Sequence, residues 1–188
     1  LSLGEYSALC YANAFSIEDG TKIVAQRGKI MANALPSGIS SMAAILMLEE
    51  AKILQACEEV KALGVCEIAN YNCPGQIVIT GHKAAVEAAS KRCLELGARR
   101  VIPLQVSGAF HSSLLLDAAK ELRKILAQYN IKQPSIPVYH NISGKPEKTD
   151  LNTILSKQIA HSVYFTQTIE HMLEDGVDTF IEGGPGKA

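Results

Sequence analysis

The stretch Cys66-Glu67-Ile68-Ala69-Asn70-Tyr71-Asn72-Cys73-Pro74-Gly75-Gln76-Ile77-Val78-Ile79-Thr80-Gly81 decides how the middle of the chain folds. Cys66 to Tyr71 and Gln76 to Gly81 read as strands, because β-branched and aromatic residues suit a half-buried pleated surface. Asn72-Cys73-Pro74-Gly75 between them is turn chemistry: proline presets one turn dihedral and glycine supplies the other. On the N-terminal side, Glu49 to Leu63 reads as a helix stopped by Gly64. Ser41 to Leu48 before it is an apolar run ending at charges, which predicts a buried strand. On the C-terminal side, Lys83 to Leu96 reads as a helix with Val86, Ala89, Cys93 and Leu96 inward and Gly97 as its stop. Arg99 to Val106 is the closing strand. The resulting order, βαββαβ, is that of a ferredoxin-like subdomain.

The flanking segments read as two parts of a larger α/β body into which this subdomain, residues 39–106, is inserted. Residues 1–38 and 107–188 make up that body. Leu1-Ser2-Leu3-Gly4-Glu5-Tyr6 reads as the end of a strand turning sharply into a helix, Glu5 to Asn13. Ser16-Ile17-Glu18-Asp19 has the form of an N-cap followed by acids. A helix should run from there to about Asn33, with Ile23, Val24, Ile30 and Met31 at helical spacing, until Leu35-Pro36-Ser37-Gly38 breaks it. After the subdomain, Ser107-Gly108-Ala109-Phe110-His111 is a loop leading into a helix, Ser113 to Gln128. Pro137 to Ile142 reads as a strand. Helices follow at about Asp150 to His161 and Tyr164 to Asp175. Asp178 to Glu182 reads as a short strand, with Gly183-Gly184-Pro185-Gly186 as a tight loop after it.

Composition narrows the function. The 188 residues are 47% hydrophobic and 20% charged, with a formal net charge of −1. That balance is ordinary for a globular protein and gives nucleic acid no basic surface to meet. The longest clean apolar run, Met42 to Leu48, is too short to cross a bilayer, and no signal-peptide pattern is visible. Five cysteines with no C-x-x-C pair favour free thiols and a cytoplasmic setting over disulfides or a zinc site. The histidines lack metal-ligand spacing, so neither metal nor cofactor is expected.

Ser2 stands where a nucleophile would. Ser2-Leu3-Gly4 is half of the G-x-S-x-G nucleophile elbow, and the same tripeptide also occurs in ordinary turns. In an elbow the serine hydroxyl is exposed, and the next backbone N–H, here that of Leu3, faces a bound oxyanion. His111 follows the serine in chain order, as a general base does in hydrolase-like enzymes.

Several segments occur together and in order: Ser2-Leu3-Gly4-Glu5-Tyr6, Gln26-Arg27-Gly28 with Met31, Met42-Ala43-Ala44, Asn72-Cys73-Pro74-Gly75-Gln76, Gly108-Ala109-Phe110-His111-Ser112, Gln158, and Gly184-Pro185-Gly186-Lys187. Through them the chain resembles the malonyl-CoA:acyl carrier protein transacylases of fatty-acid synthesis from its first residue to its last. The resemblance implies an α/β-hydrolase-like body carrying a ferredoxin-like subdomain. It implies acyl transfer through an acyl-serine on Ser2, with malonyl-CoA and acyl carrier protein as partners. It gives His111 as base, Gln158 as its orienter through a carbonyl oxygen, and the Leu3 N–H as oxyanion donor. Arg27 would anchor the malonyl carboxylate, which a planar guanidinium can grip through two hydrogen bonds. Met31 would line the substrate side, and Phe110 would shape the space beside the substrate α-carbon. Family members carry histidine where this chain has Leu1, a long portion before the serine that includes a Gly-Gln-Gly segment, and a closing helix after the last motif. On that comparison the chain reads as an internal piece of such an enzyme. A serine thioesterase or hydrolase, and an inert fragment, are the alternatives.

Overall fold

The hairpin forms as its composition dictates. In the computed structural model, which describes residues 1–106 and 108–184, β2 (Cys66–Cys73) and β3 (Gln76–His82) pair antiparallel around Pro74-Gly75. Gly75 takes φ +81, the left-handed position that glycine adopts without a Cβ penalty. β1 (Ser40–Leu46) pairs antiparallel with β3 on one side and with β4 (Arg100–Leu104) on the other. β5, only Val163–Tyr164, adds to β2 in parallel, so the strand order is β4-β1-β3-β2-β5.

Alternation along the strands splits the sheet into two faces. Ala43, Ile45, Ile68, Ile77 and Ile79 meet α3 (Glu50–Glu59) and α4 (Lys83–Glu95) through Ile53, Ala56, Val86, Ala89 and Cys93. Met42, Ala44, Ala69 and Val78 turn the other way and pack with Phe110. β1 reads as a continuous apolar run because both of its faces are covered.

A second core is helical. α1 (Gly4–Tyr11), α2 (Ile17–Asn33), α5 (Leu116–Leu126) and α6 (Leu151–Gln158) close around Tyr6, Leu9, Ile23, Leu122, Leu126, Ile154 and Leu155. Two of these helices start at side-chain caps: Ser16 Oγ accepts from Asp19 N, and Asp150 accepts from the N–H groups of Asn152 and Thr153. α7 (Phe165–Glu174) runs on directly from β5. Phe110 packs against both cores, and it sits at the seam where the sheet meets the helices. Glu67 on β2 clamps the same seam by accepting from Ser113 N at 2.8 Å and Ser113 Oγ at 2.6 Å.

The two C-terminal strands expected from the sequence do not form. Residues 137–142 and 178–182 have no strand structure: Tyr164 N donates to Asn141 O at 2.8 Å, but that contact does not extend into the ladder a strand needs. The first piece turns instead: His140 N donates to Lys145 O, and Gly144 N donates to His140 O. Tyr164, expected to open a helix, is in β5, and Leu1 carries no strand pairing ahead of the turn at Ser2. The helix expected through Leu63 stops at Glu59 and finishes as a 3₁₀ turn, Lys61–Leu63, before Gly64 at φ +124. The helix expected from Ser113 likewise opens with a 3₁₀ turn, Ser113–Leu115. Ser107 and the glycine loop beyond Gly184 lie outside the described residues. No helix among the described residues is long and apolar enough to cross a membrane.

Candidate active site

Ser2 lies directly ahead of α1, and Leu3 is that helix's N-cap, with no side chain bonded to the first-turn amides. The free N–H groups at the head of a helix, with the positive end of its dipole, favour negative charge nearby. The Leu3 N–H belongs to that group.

Arg27 reaches Ser2 from the middle of α2. Its Nη2 donates to Ser2 Oγ at 2.5 Å and to Gln158 Oε1 at 3.0 Å. The guanidinium is only 6% exposed and stands 5.2 Å from the centre of the Tyr6 ring, a cation–π distance. Burial pulls its pKa down, and the neighbouring Tyr6 and Glu5 pull it back up. Burial raises the Tyr6 pKa, with Arg27 opposing. Met31, one helical turn beyond Arg27, is buried in the core that holds Tyr6.

Gln158 is fully buried at the end of α6 and joins the other groups. Its Nε2 donates to Ser2 O at 2.9 Å and Glu5 Oε2 at 2.7 Å, with Asn141 Oδ1 at 3.5 Å. Its main-chain oxygen lies 2.9 Å from His111 Nδ1.

His111 is held by the backbone around α6. Its N–H donates to Ile159 O at 3.0 Å, and its Nδ1 lies 3.2 Å from a second carbonyl, that of His161. Two carbonyls at Nδ1 require that nitrogen to carry the proton. Nε2 is then the bare nitrogen, as a general base needs. Burial lowers the His111 pKa to about 4, the Gln158 carbonyl opposing and the Arg27 charge adding to the depression. The residue sits at φ +59, a conformation that side-chain-bearing residues rarely adopt and that clusters at functional sites.

The structure therefore joins Ser2, Arg27 and Gln158 by side-chain hydrogen bonds and ties His111 to Gln158 through the main chain. It makes no hydrogen bond between Ser2 Oγ and His111 among the described residues; the Ser2 hydroxyl is taken by Arg27. Phe110, beside His111, is half-buried. A cleft of about 570 Å³ reaches His111 and is lined also by Cys57, Glu67, Tyr71 and His161. A second, of about 530 Å³, includes Leu3, Tyr6 and Val24.

Sequence reasoning missed Glu5, His140 and Asn141. Glu5 passes for an acid in the first turn of a helix, where acids are common. His140 and Asn141 fall in the segment read as a strand. Yet Glu5 and His140 are buried and bonded, Nδ1 to Oε1 at 2.8 Å, and Asn141 N donates to Glu5 Oε2 at 3.0 Å.

Residues 1–185 match the acyl transferase domain family. The malonyl CoA-acyl carrier protein transacylase of Staphylococcus aureus (strain MRSA252) is 42% identical over 189 aligned residues, covering 99% of this chain and 61% of the relative. The Bacillus subtilis (strain 168) transacylase is 44% identical, with 99% and 60% covered. The crystal structure of the Clostridium perfringens transacylase superposes with a TM-score of 0.96 at 42% identity, covering 99% of this chain and 59% of that one. A malonyl-transacylase in complex with a type II PKS acyl-carrier protein aligns with a TM-score of 0.91 at 37% identity, over 94% and 58%. The chain thus spans about three fifths of the length of the curated relatives it matches. With its match to the family extending over nearly every residue, the chain belongs to the acyl transferase domain family.

Proposed function

We propose that the protein carrying this chain moves a malonyl group from coenzyme A to the phosphopantetheine thiol of acyl carrier protein, through an ester on Ser2, in cytoplasmic fatty-acid synthesis. The observation that carries this reading is a buried guanidinium within hydrogen-bond reach of the serine hydroxyl. An acyl group on Ser2 would place its far end beside Arg27. A carboxylate there would be paired, whereas a neutral acyl group would leave a buried cation short of a partner. The relatives' names support the same substrate and acceptor.

In this reading His111 Nε2 takes the Ser2 proton as Oγ attacks the thioester carbonyl. The Leu3 N–H donates to the developing oxyanion, and the departing CoA thiolate takes the proton back from His111. The acyl carrier protein thiol then repeats the steps in reverse. Met31 and Phe110 bound the acyl pocket. A hydrolase using water would have no need of Arg27. The architecture that accompanies this function is a ferredoxin-like subdomain, 39–106, on an α/β-hydrolase-like body, 1–38 and 107–188. The order β4-β1-β3-β2, with α3 and α4 on one face, supports the subdomain.

Arg27→Ala tests the reading. kcat/KM for malonyl-CoA should fall by about two to three orders of magnitude, the cost of losing a buried charged partner, and that for acetyl-CoA much less. Equal losses for both thioesters would make Arg27 structural and remove the support for malonyl.

A further inference from the structure

Glu5 is a buried acid, 3% exposed, that the transfer steps leave unused. We propose that Glu5 is a positioning residue: its carboxylate fixes the side-chain amide of Gln158, and through that amide the Arg27 guanidinium. This rests on the acyl-transfer reading above.

Glu5 stands in the first turn of α1, just after Ser2. A buried carboxylate is costly unless donors surround it. Here His140 Nδ1 meets Oε1 at 2.8 Å, while Asn141 N and Gln158 Nε2 meet Oε2 at 3.0 and 2.7 Å. A carboxylate only accepts, so Gln158 must show it the NH₂ group; a guanidinium only donates, so Gln158 must show Arg27 the oxygen. The two demands come from the two ends of one amide and allow one orientation. Turned over, the amide would set its oxygen 2.7 Å from the carboxylate and its NH₂ 3.0 Å from the guanidinium. Its other NH₂ neighbours, Ser2 O and Asn141 Oδ1, are acceptors as well. His111 hangs from the main-chain oxygen of Gln158, not from this amide. Disturbing Glu5 should therefore injure the Arg27 anchor more than the His111 base.

Glu5→Gln keeps the size and removes the acceptor-only character. If the new amide keeps its oxygen on Asn141 N and Gln158, its NH₂ faces His140 Nδ1–H. His140 must then move its proton to Nε2, a buried atom with no hydrogen-bond partner among the described residues. If the amide turns over, its NH₂ faces the donors Asn141 N and Gln158 Nε2. Neither arrangement preserves the clamp.

The experiment is a double-mutant cycle in the protein that carries this chain, with kcat/KM measured for malonyl-CoA and acetyl-CoA. Glu5→Gln alone should lower the malonyl value about tenfold or more and the acetyl value by less than about threefold. In the Arg27→Ala background the same substitution should change the malonyl value by less than about twofold. Equal losses for the two thioesters, or a full Glu5→Gln effect without Arg27, would overturn the proposal. Glu5→Asp, which keeps the charge but reaches less far, carries the same expectations should Glu5→Gln not fold. A parent protein that never acylates Ser2 from malonyl-CoA overturns the acyl-transfer reading first, before any Glu5 variant is made.

Discussion

His111 shows what burial does to a candidate catalytic group. Desolvation takes its pKa to about 4, so the imidazole is neutral through the whole physiological range. The acid limb of kcat/KM for malonyl-CoA should therefore have its midpoint near pH 4, not near the value of about 6.5 of a free histidine. The same shift bears on stability. Between those two values the unfolded chain binds the proton and the folded one does not. The contribution of His111 to stability is full above about pH 6.5 and is lost as the pH falls through 4. A pH profile of single-turnover acylation checks the first point, and a midpoint near 6.5 would contradict it. Ser2, Arg27 and His111 were legible as residue types suited to a nucleophile, an anchor and a base. Glu5 was not, because its identity announces nothing: only the fully buried His140 and Gln158 around it turn a helix-start acid into the centre of a network.

At the scale of elements, period and punctuation located most of the chain. The hairpin was legible because Pro74-Gly75 both ends one strand and aims the next, and α2 because Ser16 caps it. The strands expected at 137–142 and 178–182 failed for the complementary reason: an extended apolar run states a preference, but pairing is a property of a neighbour. β5 was invisible because two residues carry no period, and its place is set by tertiary contacts. Tyr164 stacks on Tyr71 with ring centroids 5.1 Å apart, and Ser162 Oγ donates to Ile68 O. Gly81 tests how tightly the hairpin closes. It sits at φ +152 on β3, and a Cβ there would lie 2.0 Å from the Val65 carbonyl oxygen. Gly97, at φ +105, has open space around its Cβ position. Gly81→Ala should cost about 3 kcal/mol or more and Gly97→Ala about 1, the difference being the clash and not the dihedral. Urea midpoints of the two variants measure it.

At the scale of the molecule, the candidate site is an assembly of distant segments. Gln158 meets Ser2 across 156 residues of sequence and Arg27 across 131. No local pattern encodes such meetings; the resemblance gave Gln158 only as the orienter of His111, and the packing of α1, α2 and α6 into one core brings it to Ser2 and Arg27. The sheet meets that core at Phe110 and Glu67, beside the loop that holds His111. We propose that this convergence makes Ser2 the acyl carrier. That role is tested most directly by brief incubation of the protein carrying this chain with malonyl-CoA, acid quench and peptide mapping by mass spectrometry. A malonyl ester should form on Ser2 and disappear in Ser2→Ala. An adduct on any other residue, or none from a protein that still transfers malonyl groups, would contradict it.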